Sequence, residues 1–106
     1  MAKVSRQKRL DGLLDSRLQD IVSRILAVAS PDKIILYGSR ARGKNGSRSD
    51  FDIAVFGRVD MGKIWDNLSE AQTLLKIDVV AFDELNNQVF KDKILNEGIV
   101  LYERKI

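Results

Sequence analysis

Leu36-Tyr-Gly-Ser-Arg-Ala-Arg-Gly43, followed after a polar loop by Ser49-Asp-Phe-Asp-Ile53, sets a Gly-Ser turn ten residues ahead of an Asp-x-Asp pair. The apolar run Ile34-Ile-Leu-Tyr37 reads as a buried strand. Gly38-Ser39 directly after it can turn the chain into a short helix whose free N–H groups face a phosphate. Gly38 carries no side chain, so the backbone can approach a ligand closely. Asp50 and Asp52 lie two apart at the start of a strand Phe51 to Phe56. Period two sends both carboxylates to one face and Phe51 and Ile53 to the other. Paired carboxylates on one face suit Mg²⁺, a hard cation that takes oxygen ligands.

Composition narrows the chemistry. With 106 residues, 44% apolar and 31% charged, the chain reads as one domain spanning 1–106, large enough for a core but small for a catalytic plus a substrate domain. An acceptor would then have to be presented by something else. There is no cysteine and no histidine, which excludes a thiol nucleophile, a disulfide framework, a histidine general base and the usual zinc ligands. Catalysis must rest on carboxylates. No apolar run approaches the roughly 20 residues that span a bilayer, and the basic start Met1 to Arg9 is not followed by the apolar stretch of a signal peptide. A cytoplasmic location is the expectation. The net charge of +3 suits an anionic partner. Yet no aromatic residues interleave the basic ones at Lys3 to Arg9, so nucleic-acid binding has weak support.

Around the central motif the apolar spacing orders the elements. Leu10, Leu14, Leu18, Ile21, Ile25 and Val28 recur at three to four, predicting one amphipathic helix from about Ser5 to Ala29 that Pro31 closes. Ile64, Trp65, Leu68, Ala71 and Leu75 predict a second helix over Met61 to Leu75 that crosses to a strand Ile77 to Phe82, which should neighbour the Asp-x-Asp strand. Trp65 is expected in the core or facing a partner rather than stacking on a base. Asp83 or Asn86 could cap a last helix, Gln88 to Asn96, which stops at Gly98 before a strand Ile99 to Tyr102. The sum is an α/β (α+β) fold: a single small mixed-sheet domain with helices packed on one face.

Gly-Ser, a gap of ten, then Asp-x-Asp would arise by chance in about one random chain per thousand of this length. The pattern resembles the nucleotidyltransferase superfamily that includes the DNA polymerase β-like enzymes, poly(A) polymerases and aminoglycoside nucleotidyltransferases. In size the chain is most similar to the minimal nucleotidyltransferase family, which is typically partnered with a HEPN protein. The resemblance runs from Ile34 to Val55 and resumes near Asp78. It implies a nucleotidyltransferase domain that moves a nucleoside monophosphate, expected to be AMP from ATP though another nucleoside triphosphate is open, to an acceptor hydroxyl. It further implies a HEPN-type partner, with this chain as the antitoxin of a toxin–antitoxin pair.

For each site residue a structural reading stands beside the functional one. Gly38 and Ser39 either close a strand-to-helix turn or bind the β- and γ-phosphates, and both can hold together. Asp50 and Asp52 could be solvent-facing strand residues, but two Asp on a strand of Phe, Ile, Ala and Val oppose local propensity, as functional sites often do. Two Mg²⁺ ions would use this pair, stabilising the attacking hydroxyl and the leaving pyrophosphate. Asp78, inside an apolar strand, is the expected third carboxylate, where the superfamily carries it; a salt-bridged edge residue is the rival reading. Asp60 and Asp83 compete less well because each sits beside a turn or helix start. Arg40 and Arg42 either orient triphosphate oxygens or are helix-surface charges, and Ser49 is expected to steady the Asp50 loop. Two rival functions remain: a nucleotide-binding partner subunit without turnover, and an aminoglycoside-type transferase acting on a small molecule.

Overall fold

The computed structural model describes residues 15–43, 50–71 and 75–105. Helix α1 (Ser16–Val28) begins at Asp15, whose carboxylate accepts the Arg17 N–H at 2.9 Å and so satisfies one of the free donors of the first turn. Leu18, Ile21 and Ile25 form its buried stripe. The earlier part of the expected helix, with Leu10 and Leu14, lies outside the described residues. Extended Ala29 and buried Pro31 end α1 and lead into strand β1 (Lys33–Tyr37).

Strand β2 (Phe51–Phe56) returns antiparallel to β1. Helix α2 (Met61–Leu68) then carries the chain to β3 (Ile77–Ala81), which lies parallel to β2 as the expected crossover requires. Asp60 caps α2, accepting the Lys63 N–H at 3.2 Å, which explains that acidic residue without a ligand. The helix is shorter than expected, and residues 72–74 lie outside the described residues. Ile64 and Leu68 supply its buried face, whereas Trp65 stands one residue off that stripe and is 56% exposed, so it is not a core residue.

Beyond β3 a 3₁₀ turn (Phe82–Glu84) contains Asp83 and ends the strand one residue before the expected Phe82. Helix α3 (Gln88–Glu97) is capped by Asn87, which accepts the Phe90 N–H at 3.0 Å, instead of by Asp83 or Asn86. Strand β4 (Ile99–Glu103) closes the sheet, in the order β3-β2-β1-β4.

The sheet is a four-stranded mixed sheet in a small α/β domain, but its helices do not all lie on one face. On the first face Ile34, Leu36, Phe51, Ile53, Val55, Val79, Ile99 and Leu101 pack against α1 and α2. On the second, Ile35, Tyr37 and Ala54 meet Phe82 and Ile94, with Phe90 of α3 against them. The physical reason lies in β1 itself: all four residues Ile34 to Tyr37 are apolar and buried, so both sides of the strand need cover. The segment from β3 to β4 must cross from one sheet edge to the other, and it supplies that cover. Phe56 and Phe82 stack at 4.0 Å between ring centroids, and Tyr37 meets Phe90 edge to face at 5.7 Å.

Gly98 sits where α3 turns back into β4. Its φ of −73° is open to any residue, so backbone freedom is not what the position demands. Space is: a Cβ there would lie 2.5 Å from the Ile94 carbonyl oxygen and collide with Ile35 Cγ2. Gly98→Ala is therefore expected to destabilise the fold by about 1–3 kcal/mol through overpacking, read as a lower urea midpoint with an unchanged slope.

Candidate functional site

Tyr37, Asp52 and Asp78 are register partners on three adjacent strands: Tyr37 lies opposite Asp52, and Asp52 opposite Asp78. Directly paired residues project to the same side of a sheet, so these three line the second face at the carboxyl end of β1. Asp52 and Asp78 are only partly buried. The polar site thus opens at the rim of an apolar face.

Crowding of charge shows in the titration of these groups. Burial, followed by the neighbouring carboxylates of Asp78 and Asp50, raises the pKa of Asp52, while Lys76 and Arg42 pull it back. Lys76 Nζ lies 3.5 Å from Asp78 Oδ1 in an exposed pair. Burial, then the carboxylates of Asp52 and Asp78, push the Tyr37 hydroxyl up to about 12. An anionic face of this kind favours a cation between its carboxylates.

Gly38 follows Tyr37 with φ +79°, a left-handed conformation that favours glycine. A Cβ at this position would collide with Asp52 Oδ2, and would stand 3.2 Å from Asp52 Cγ. The absence of a side chain is what lets the turn pass against the carboxylate. Beyond it the chain makes one hydrogen-bonded turn rather than the expected short helix: Arg42 N donates to Gly38 O at 3.1 Å and Gly43 N to Arg40 O at 3.3 Å. Ser39 is half-buried in this turn.

The two arginines of the turn go to different places. Arg42 reaches Glu97, the last residue of α3, at 3.0 Å. Arg40 lies on the Phe51 side of the sheet: its guanidinium stands 4.0 Å from the centre of the Phe51 ring and 3.7 Å from Asp15. Asp50 is exposed, immediately ahead of β2, and Ser49 lies outside the described residues. Among the described residues no three acidic side chains converge on one ion-sized point. The structure brings together Gly38, Asp52 and Asp78, with the charge of Asp50 acting on Asp52.

Tyr37, Lys76 and Glu97 border the site and were not singled out from sequence. Tyr37 carried a signal, since alternation places it on the face opposite Leu36. Glu97 carried none: its approach to Arg42 bridges 55 residues of chain and depends on how α3 crosses the sheet.

Comparison with known proteins agrees with the geometry. The family described as Polymerase beta, Nucleotidyltransferase matches residues 19–106. A protein of Methanocaldococcus jannaschii with the provisional name protein adenylyltransferase MJ0604 is 39% identical over 79 residues, which cover 66% of this chain and 77% of that protein. The crystal structure of a toxin–antitoxin with AMP-PNP shares the fold, with a TM-score of 0.67 over 82% of this chain and 73% of the other at 23% identity.

Because folding raises the pKa of Asp52, ionising it opposes folding. Its contribution is most favourable with the carboxyl protonated and is lost as pH rises through the raised pKa. Asp52→Asn should therefore raise the melting temperature at neutral pH without added divalent metal, and the gain should vanish in acid. Thermal melts across the carboxylate range check both.

Proposed function

This chain belongs to the polymerase β nucleotidyltransferase family and is a nucleotidyltransferase, and from that premise we propose that it moves AMP from ATP, with Mg²⁺, onto a side-chain hydroxyl of a HEPN-type partner protein, as the antitoxin of a toxin–antitoxin pair. The observation that carries the reading is the in-register meeting of Asp52 and Asp78 beside a glycine that has no room for a side chain. The relative's name, a protein adenylyltransferase, supports a protein acceptor. The AMP-PNP in the toxin–antitoxin neighbour supports an adenine nucleotide and a protein partner.

The donor set fits magnesium. All its ligands are carboxylate oxygens, and their mutual repulsion is relieved by a cation. Mg²⁺ commonly takes one or two carboxylates together with substrate phosphates, so a cage of three protein carboxylates is not required. Asp52 and Asp78 would hold it, with Asp50 completing the set beside the incoming nucleotide. Bound there, the ions supply charge stabilisation for an in-line displacement at the α-phosphorus.

The chain's own groups do the rest. The Gly38–Ser39 turn brings backbone N–H groups and the Ser39 hydroxyl to the triphosphate, and Arg42 offers its guanidinium from the same turn. In the reaction the acceptor oxygen bonds to the α-phosphorus while the bond to the bridging oxygen breaks, and pyrophosphate leaves with that electron pair. A carboxylate of the Asp52 and Asp78 pair receives the proton released by the hydroxyl. Arg40, turned onto Phe51, serves the turn's shape rather than the phosphates.

Incubation with the partner protein and ATP labelled at the α-phosphate tests the reaction class. Label should appear on the partner, and the Asp50→Asn, Asp52→Asn double variant should lose more than about 100-fold in rate, beyond the 10–100-fold typical of groups that merely support metal ligands. No label on the partner with the native chain would overturn the reading in favour of a binding subunit, and label at equal rate with the double variant would overturn the role given to the aspartates. In a second measurement, Mg²⁺ with a non-hydrolysable ATP analogue should raise the melting temperature of the native chain, and chelation should remove that gain. The double variant should show neither change.

A further inference from the structure

Phe51 separates Asp50 from Asp52 in the chain, and its ring points to the opposite side of the sheet, where it is fully buried. Two guanidiniums lie over that ring: Arg40 at 4.0 Å from its centroid and Arg17 of α1 at 5.2 Å. The Arg40 side chain is only 6% exposed. Burying a cation so thoroughly is unfavourable unless partners offset it, and here an aromatic face and a carboxylate do so.

The carboxylate is Asp15, and it performs several tasks at once. Its Oδ1 accepts the Arg17 N–H at 2.9 Å as the cap of α1 and the Arg17 Nε at 3.1 Å; its Oδ2 accepts from the Arg17 guanidinium at 3.0 Å and lies 3.7 Å from Arg40. The fork-to-fork pairing fixes the plane of the Arg17 guanidinium as well as its position. Hydrogen bonding to Arg17 lowers the pKa of Asp15 and, in return, raises that of Arg17. Burial, then the like charge of Arg17, lower the pKa of Arg40, against the pull of Asp15 and Asp50. On the backbone, Phe51 N donates to Lys76 O at 3.0 Å, tying the start of β2 to the segment that leads into Asp78.

We propose that Asp15 and Arg17 are positioning residues for nucleotidyl transfer: together with Arg40 they clamp Phe51 and so fix the backbone from which Asp50 and Asp52 project. The inference rests on the site described above and adds residues from a helix on the other side of the sheet. Arg17 lies over the Phe51 ring, on the face of the sheet away from Asp52 and Asp78. A purely stabilising ion pair between α1 and the turn would make a different prediction, because its loss would lower the melting temperature without altering how well the carboxylates hold a metal.

Asp15→Asn separates the two. Asparagine keeps an oxygen to cap α1 but loses the charge and one arm of the fork. In the full chain, Mn²⁺ serves as a spectroscopic probe of the carboxylates, with amide exchange at Phe51 and steady-state transfer measured beside it. The clamp predicts Mn²⁺ affinity and kcat each lower by about tenfold, a smaller change in KM for ATP, and faster exchange at Phe51 with exchange at Ile34 and Val55 unchanged. Arg17→Lys, which keeps a charge but not the planar fork, should show the same losses and covers the case in which Asp15→Asn folds poorly. Native exchange at Phe51 and native Mn²⁺ affinity in both variants would overturn the inference. If the native chain itself neither binds Mn²⁺ nor transfers nucleotide, the reading of the function fails instead. The comparison of Phe51 exchange still decides the clamp on its own: faster exchange supports it and unchanged exchange overturns it.

Discussion

Strand β2 has to be two things at once, and the rest of the structure depends on that requirement. From Ile53 to Val55 it is fully buried, bonded to β1 on one side and β3 on the other. At its beginning it presents carboxylates. A central strand cannot place charge in its interior without great cost, so the ionisable residues occur where the strand enters the sheet. Every neighbour is arranged around that transition: a glycine against Asp52, a partner aspartate in register on β3, and a buried ring between the carboxylates on the reverse side.

The two faces of the sheet divide the labour. Beside the carboxylates, α3 lays Phe90 and Ile94 over Tyr37 and Ile35, giving the site an apolar floor. On the reverse, α1 and α2 close over the larger apolar cluster, and α1 also delivers the ionic group that sits on Phe51. Functional geometry on one face therefore depends on packing on the other. Side chains of successive residues alternate in direction, so a strand carries a mechanical constraint from face to face over a single residue.

Much of this was legible in the chain before folding. The bounds of β2 and its neighbour relation to β3 followed from alternation and the crossover helix, because each is a local pattern. Asp60 was readable as a cap because caps are set within a turn of the helix they begin. What could not be read depends on distant pieces meeting. That α3 covers the second face follows from strand order across the sheet, not from its own modest amphipathic pattern. The division between Arg40 and Arg42 was equally hidden, since the two look alike in sequence and part only in the fold, where Arg40 meets Asp15 and Phe51 and Arg42 meets Glu97. The motif also suggested a helix after Gly38, where a single hydrogen-bonded turn forms.

Among the described residues strand β3 is an edge of the sheet, paired with β2 on one side. An edge strand presents unpaired backbone groups that can recruit another chain, and proteins commonly deter this with charge on or beside the strand. Asp78 stands on this edge with Lys76 just ahead of it, in a strand otherwise made of Ile, Val and Ala. The residue expected to serve chemistry thus also acts as a gatekeeper against edge-to-edge aggregation. Substituting it with an apolar residue would leave a five-residue apolar ribbon at the border of the sheet, so solubility and reactivity constrain the same position.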